Sequence, residues 1–275
     1  MRLLAASSVA LLCAATACRQ PAAPKPRAQS PATALASVSA SASACAFPAL
    51  SVASVVDAAG LHVRTGSLGK SSLWGFSDVG LDSALTRLQI VLAKGGAPLA
   101  RLLPAGALAV VNGGYFEPDF RPSAWLKDQG VELSPKNDTS KGGVLALGGG
   151  GIYLGPFAQL GFEPQLVVQS FPLIVEQGGK PGIHSDDGRR AARTVACLVG
   201  KSLHFIVISA ARGDGPTLFE SSSLLRDAPP RGFGCTVALN FDGGPSSGVW
   251  FGPQIAAKQR QPLANVGYAI AILPG

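Results

Sequence analysis

Leu239-Asn240-Phe241-Asp242-Gly243-Gly244-Pro245-Ser246-Ser247 is the stretch on which the reading of this chain turns. Side chains on a strand repeat with period two, so Val237, Leu239 and Phe241 are expected on one face and Asn240 and Asp242 on the other. The glycines let the backbone turn sharply after the carboxylate and approach a ligand closely. Two readings fit. Asp-Gly between apolar runs is a hairpin signal. Alternatively, a carboxylate at a strand end, beside backbone N–H groups and the hydroxyls of Ser246 and Ser247, forms a site for a sugar, a phosphate or a cation.

The same design occurs earlier, where the apolar run 108–111 leads directly into Asn112-Gly113-Gly114-Tyr115-Phe116-Glu117. Around these two elements the pattern predicts further strands at 61–65, 88–92, 166–170, 172–175, 236–241, 248–251 and 266–273. Two hairpins are expected, 143–147 against 151–154 and 195–199 against 203–208, the second turning at Gly200-Lys201. His204 reads as a packed strand histidine. Residues 78–87 are turn-rich, and Arg121-Pro122 with Trp125 reads as a loop too irregular for a core element. Thr217 and Glu220 have the spacing of a capping box, which predicts a helix running to about Arg226. Many strands and few helices give the fold class: α+β, a strand-rich domain built on a mixed sheet.

The chain begins as an exported protein would. A short basic start, an apolar run at 3–12 and the small-residue site Ala15-Thr16-Ala17 read as a signal peptide over residues 1–17. Cys18 follows the cut and is expected to be lipidated, tethering the protein to a membrane face without a spanning helix. Residues 18–45, rich in Ala, Pro and Ser, read as a disordered tether, and 46–275 as the folded domain.

Charge excludes one class of partner. The formal charge is +7, but four of the 23 basic residues, Arg2, Arg19, Lys25 and Arg27, precede the first acidic residue, Asp57. Without them 19 basic residues face 16 acidic ones, and no dense Lys/Arg run remains, so no nucleic-acid surface is expected. Cys45, Cys197 and Cys235 leave room for one disulfide and one thiol, with the pairing open. There is no Cys/His cluster of the kind zinc requires. The ion the sequence does suggest is Ca²⁺ near Asp242, because that ion takes oxygen ligands.

Taken in order, several pieces resemble the phosphodiester glycosidase family: Asn112-Gly-Gly-Tyr-Phe116, Gln169-Ser-Phe-Pro-Leu-Ile174 with Gly178-Gly179-Lys180, Arg193-Thr194 opening a strand pair, and Asn240-Phe-Asp-Gly-Gly244 with Ser246-Ser247. Pro245 stands where the family usually has a third glycine, and Phe171 where it has a glycine. The resemblance implies an α+β fold and hydrolysis of a sugar phosphodiester, a reaction that passes through an oxocarbenium-like state. For that chemistry the chain offers Asp242 as the catalytic carboxylate and Arg193 as a phosphate clamp, with Glu117 and Asp119 as the candidates for a second carboxylate. Asn112 and Asn240 would orient sugar hydroxyls, and the N–H groups of Gly113, Gly114, Gly243 and Gly244 would add donors. Ser170, Thr194 and Ser246, which lie within the matching pieces, complete the expected substrate contacts.

Each assignment has a structural alternative. Asp242 can cap a turn or hold a cation, Arg193 can belong to an ion pair, and Glu117 can be a solvated loop residue. The sequence therefore predicts an exported hydrolase of a glycosyl phosphodiester in an envelope or extracellular glycan, periplasmic or on the cell surface of a bacterium. A non-catalytic envelope protein that binds polysaccharide or a cation is the alternative.

Overall fold

The computed structural model describes residues 49–68, 74–137, 142–149, 151–210 and 214–275. The expected signal peptide, Cys18, the tether and Cys45 lie outside the described residues. Among the described residues no helix is long and apolar enough to cross a membrane.

The described residues form three sheets. The largest has eight strands in the order Leu50–Ala58, Leu61–Leu68, Gly75–Leu81, Ser202–Ser209, Arg193–Val199, Val237–Asn240, Leu173–Glu176 and Lys180–Pro181. A five-stranded sheet runs Val131–Ser134, Leu126–Asp128, Pro164–Ser170, Gly143–Gly148 and Gly151–Pro156. A four-stranded sheet runs Val249–Phe251, Ala109–Asn112, Val266–Pro274 and Thr86–Ala97. The strand-rich class with few helices is as expected. The pairings between these strands are all antiparallel, however, where a mixed sheet was expected. Antiparallel neighbours need no parallel crossover, and here they come both from hairpins and from strands distant in sequence, such as Gly75–Leu81 with Ser202–Ser209 and Ala109–Asn112 with Val266–Pro274.

Period-two alternation separates the two main cores. Val237 and Leu239, with Phe241 just beyond the strand, join Leu145, Leu166, Phe205, Val249 and Ile270 in a core to which all three sheets contribute. Ala238, on the opposite face, joins Phe76, Val195, Ile206, Leu224 and Phe233 under the helix Leu218–Arg226. Thr217 caps that helix, its hydroxyl accepting from the Glu220 N–H at 3.1 Å while Glu220 accepts from the Thr217 N–H at 2.9 Å. A disulfide joins Cys197 to Cys235 across a separation of 38 residues and lines the same core.

Two segments differ from expectation. Part of the turn-rich 78–87 belongs to the strand Gly75–Leu81, and the Asp78 side chain on it is fully buried. That burial is tolerated because Arg64 Nε donates to its carboxylate at 2.9 Å and His204 Nδ1 lies 2.8 Å from it. His204 is thus packed on its strand, but against a carboxylate. The stretch after Trp125 is likewise a core element: Leu126 is fully buried, and Leu126–Asp128 pairs with Pro164–Ser170.

Candidate active site

The hairpin reading of Asp242-Gly243 fails because the flanking strands lie in different sheets, Val237–Asn240 in the eight-stranded one and Val249–Phe251 in the four-stranded one. The chain crosses between them at the carboxylate. Phe241 N still donates to Thr194 O at 2.8 Å within the large sheet, whereas Asp242 N donates to Gly113 O at 3.2 Å on the other side. Gly244 (φ +58°) turns the backbone, and its N–H reaches Ala192 O at 2.8 Å.

Asn112 holds this junction together. It is fully buried; its Oδ1 accepts from the Thr194 hydroxyl at 2.7 Å and the Gly248 N–H at 3.0 Å. Its Nδ2 donates to Asp242 O at 2.8 Å and to Gly113 O at 3.1 Å. Amide donors and acceptor are therefore all engaged inside the protein. Thr194, also fully buried, is committed to the same clasp.

Gly113 and Gly114 serve packing. A Cβ on Gly113 would sit 2.1 Å from the Tyr268 ring, and one on Gly114 would sit 2.7 Å from the Tyr268 hydroxyl. All four glycine amides expected to face a ligand already have acceptors. Gly113 N donates to Tyr268 O at 3.0 Å, Gly114 N to Tyr268 Oη at 2.7 Å, and Gly243 N to Asp242 Oδ1 at 2.9 Å, while Gly244 N is bound as described.

The groups left uncommitted are more informative. Arg193 is 8 % exposed, and its guanidinium is held by two carbonyls, Nε to Pro216 O at 3.0 Å and Nη2 to Arg189 O at 2.9 Å. Among the described residues no carboxylate pairs with it, and Nη1, which would lie 3.9 Å from a Cβ on Gly243, has no acceptor. Burial lowers the Arg193 pKa, with Tyr115, Asp187 and Glu220 opposing that at longer range. Asp242 is partly buried, and burial raises its pKa against the hydrogen bonds from Ser246 and the Gly243 N–H.

Tyr115 belongs to this group, although it was not among the expected site residues. Its hydroxyl accepts from Asn240 Nδ2 at 2.8 Å, and its ring stacks on Phe171 at 4.5 Å between centroids. Burial first, then the charge of Asp242, pushes the Tyr115 pKa up to about 12, with Arg193 and Asn240 pulling the other way. The phenol therefore keeps its proton at neutral pH and can donate it to a ligand. The signal was in the sequence, inside the Asn112–Phe116 motif. Asn240 Oδ1 and the Ser170 hydroxyl are buried without partners, while Phe171 lies 44 % exposed.

Glu117 is not brought to this cluster. It is exposed and lines a separate cleft of about 810 Å³ with Lys94, Phe120, Arg121 and Lys136. The calcium reading finds Asp242 with one oxygen already taken by an N–H. No group of three His, Cys, Asp or Glu able to hold a metal ion occurs among the described residues.

The sequence profile of the phosphodiester glycosidase family matches residues 105–273, which span both strand–Gly-Gly elements. No curated protein matches the chain by sequence. Among solved structures, a hypothetical protein from Synechocystis superposes with a TM-score of 0.62 at 15 % identity, over 81 % of this chain and 63 % of its own. The catalytic domain of zebrafish N-acetylglucosamine-1-phosphodiester alpha-N-acetylglucosaminidase, auto-inhibited by its pro-peptide, gives 0.59 at 12 % identity, over 84 % of this chain and 85 % of its own. A Burkholderia pseudomallei protein described as exported gives 0.54 at 13 %, over 73 % and 74 %. At these identities the structural likenesses establish the fold.

Proposed function

The chain belongs to the phosphodiester glycosidase family, and we propose that it hydrolyses a glycosyl phosphodiester at the Arg193–Tyr115–Asp242 cluster. One observation carries the reading: Arg193 is a buried guanidinium with no carboxylate partner among the described residues and with Nη1 uncommitted. A desolvated cation held open in this way favours an anionic ligand.

On this reading Arg193 and the Tyr115 hydroxyl hold the phosphate oxygens. The bond between the anomeric carbon and the phosphate oxygen breaks, and its electron pair leaves with the phosphate. Asp242 stabilises the oxocarbenium character that develops at the anomeric carbon. Water then adds to that carbon and loses its proton to Asp242 or solvent, giving a free sugar and a phosphate monoester. A phosphate is a good leaving group without a strong general acid, so a site with one carboxylate is chemically sufficient. Asn240 and Ser170 contribute the unpartnered Oδ1 and hydroxyl to sugar recognition, and Ser246 orients the Asp242 carboxylate. Asn112, Thr194 and the four glycines act as scaffold. Glu117 has no part in the reaction.

The signal peptide over residues 1–17 and lipidated Cys18 would place this activity on the periplasmic or outer face of a bacterial envelope, acting on a glycan there. The absence of a second carboxylate beside Asp242 among the described residues also suits the alternative, a protein that binds such a glycan without cleaving it. Assay of the purified chain with an anomeric sugar phosphodiester separates the two. Asp242→Asn and Arg193→Gln should each lower turnover by about 10²-fold or more. Wild-type turnover no faster than that of Asp242→Asn would refute the catalytic assignment, and saturable binding without product would favour the alternative.

A further inference from the structure

The loop that follows Asp242 also forms part of a second cavity. Gly244 and Ser247 line a space of about 470 Å³ together with Trp74, Ser209, Lys258 and Arg260. Among the described residues two cations line it, and no Asp or Glu does. Arg260 is held in place by neutral groups. Its Nε donates to the Ser77 hydroxyl at 2.8 Å and Nη2 to Phe76 O at 3.0 Å, with a long contact of 3.4 Å from Nη1 to the Ser209 hydroxyl. Each terminal nitrogen still has a hydrogen to donate. No carboxylate among the described residues pairs with Arg260, and burial lowers its pKa. The Ser247 hydroxyl is buried with no partner. The guanidinium packs closely over Gly75, where an added Cβ would lie 2.4 Å from Nη2.

We propose that this cavity is an oxyanion-binding site separate from the Arg193–Asp242 cluster, taking a phosphate or carboxylate group carried by a saccharide. Arg260 behaves as any desolvated guanidinium does. Neutral hydrogen bonds fix its orientation but leave its charge uncompensated, and an oxyanion supplies both the missing charge and acceptors for the remaining hydrogens. Lys258, exposed at the rim, adds a second positive charge without geometric constraint. The inference does not depend on hydrolysis at Asp242.

The full chain is titrated at constant ionic strength with inorganic phosphate in one arm and glucuronate in the other. Tryptophan fluorescence reports occupancy, and Trp74→Phe serves as the control that assigns the signal to this cavity. Saturable binding of either anion is expected in the wild type and in Arg193→Gln. Lys258→Gln should weaken it about tenfold, the value of one charge-assisted contact, and Arg260→Gln should abolish it. Phosphate alone binding identifies a phosphorylated ligand, and glucuronate alone a uronate. Because Lys258 is exposed, its variant tests the idea even if Arg260→Gln fails to fold. Absence of saturable binding, or binding unchanged in Lys258→Gln and Arg260→Gln, overturns the proposal. So does binding lost in Arg193→Gln but kept in Arg260→Gln, which would assign the anion to the other site.

Discussion

Replacing Asn112 with Leu separates a clasp from a ligand contact. The substitution keeps a side chain of similar bulk in a fully buried position and removes the amide. It leaves three buried partners without a bond: the Thr194 hydroxyl, the Gly248 N–H and the Asp242 carbonyl. An orphaned buried polar group costs about 1–3 kcal/mol. Three such groups would total about 3–9 kcal/mol, and because the Thr194 hydroxyl can rotate to another acceptor the sum belongs in the lower part of that range, roughly 3–5 kcal/mol. Measured against a typical domain stability of about 5–15 kcal/mol, this is a large loss. At roughly 2–4 °C per kcal/mol for a domain of this size, the melting temperature should fall by about 10 °C. Urea unfolding of wild type and Asn112→Leu gives the energy directly, with the denaturant slope expected to be unchanged. Thr194→Val should cost only about 1 kcal/mol, since Asn112 Oδ1 keeps the Gly248 N–H, and in the double variant the two costs should not add. A loss below about 1 kcal/mol for Asn112→Leu, combined with loss of ligand binding, would refute the clasp and return Asn112 to the sugar.

Two further outcomes follow from the same cluster and from the disulfide. Asp242 has a raised folded-state pKa, so its contribution is fully present below the unfolded value and is lost as pH rises through the folded one. Asp242→Asn should therefore be more stable than wild type at pH 7–8 while losing function, and the difference should vanish below about pH 3.8, the ordinary aspartate value. Thermal melts across that range would contradict the assignment if the wild type were the more stable protein at pH 8. The Cys197–Cys235 link closes a 38-residue separation, for which the chain-entropy relation gives roughly 4 kcal/mol. The double Ala variant should lose about 2–4 kcal/mol in urea unfolding, and a reducing agent should reproduce this in the wild type. No change on either treatment would show that the link contributes nothing.

What could be read from the sequence was local. Period two alone sends Val237, Leu239 and Phe241 to one core and Ala238 to another, and the Thr217–Glu220 spacing alone defines the helix cap. Asp78 was illegible because its two partners lie 14 and 126 residues away, and an Asp after a Ser in a stretch rich in Gly, Asp and Ser reads as a turn. The glycines were read as letting the backbone approach a ligand; at Gly113 and Gly114 the close approach is made from within the chain, and at Gly244 nothing would meet a Cβ. The approaching group is Tyr268, 154 residues from Gly114, and the amides that a ligand would need are used there instead. Motif spacing shows where backbone comes close. Which donors are already taken depends on partners that only the folded chain brings near.

Oppositely charged groups in one cluster remain apart here because each already has neutral partners. Arg193 and Asp242 are both desolvated enough to shift their pKa values, yet no ion pair joins them. Each is held by neutral partners, the guanidinium by the Pro216 and Arg189 carbonyls and the carboxylate by the Gly243 N–H and Ser246. A direct pair would have been the cheaper way to offset burial for a purely structural role. Keeping the charges separate and fixed has value when the missing partner is itself dipolar. On the proposed reaction the transition state is such a species, with negative charge gathering on the departing phosphate and positive charge on the anomeric carbon. A guanidinium and a carboxylate held apart can meet both ends at once, and neither has to break a salt bridge to do so.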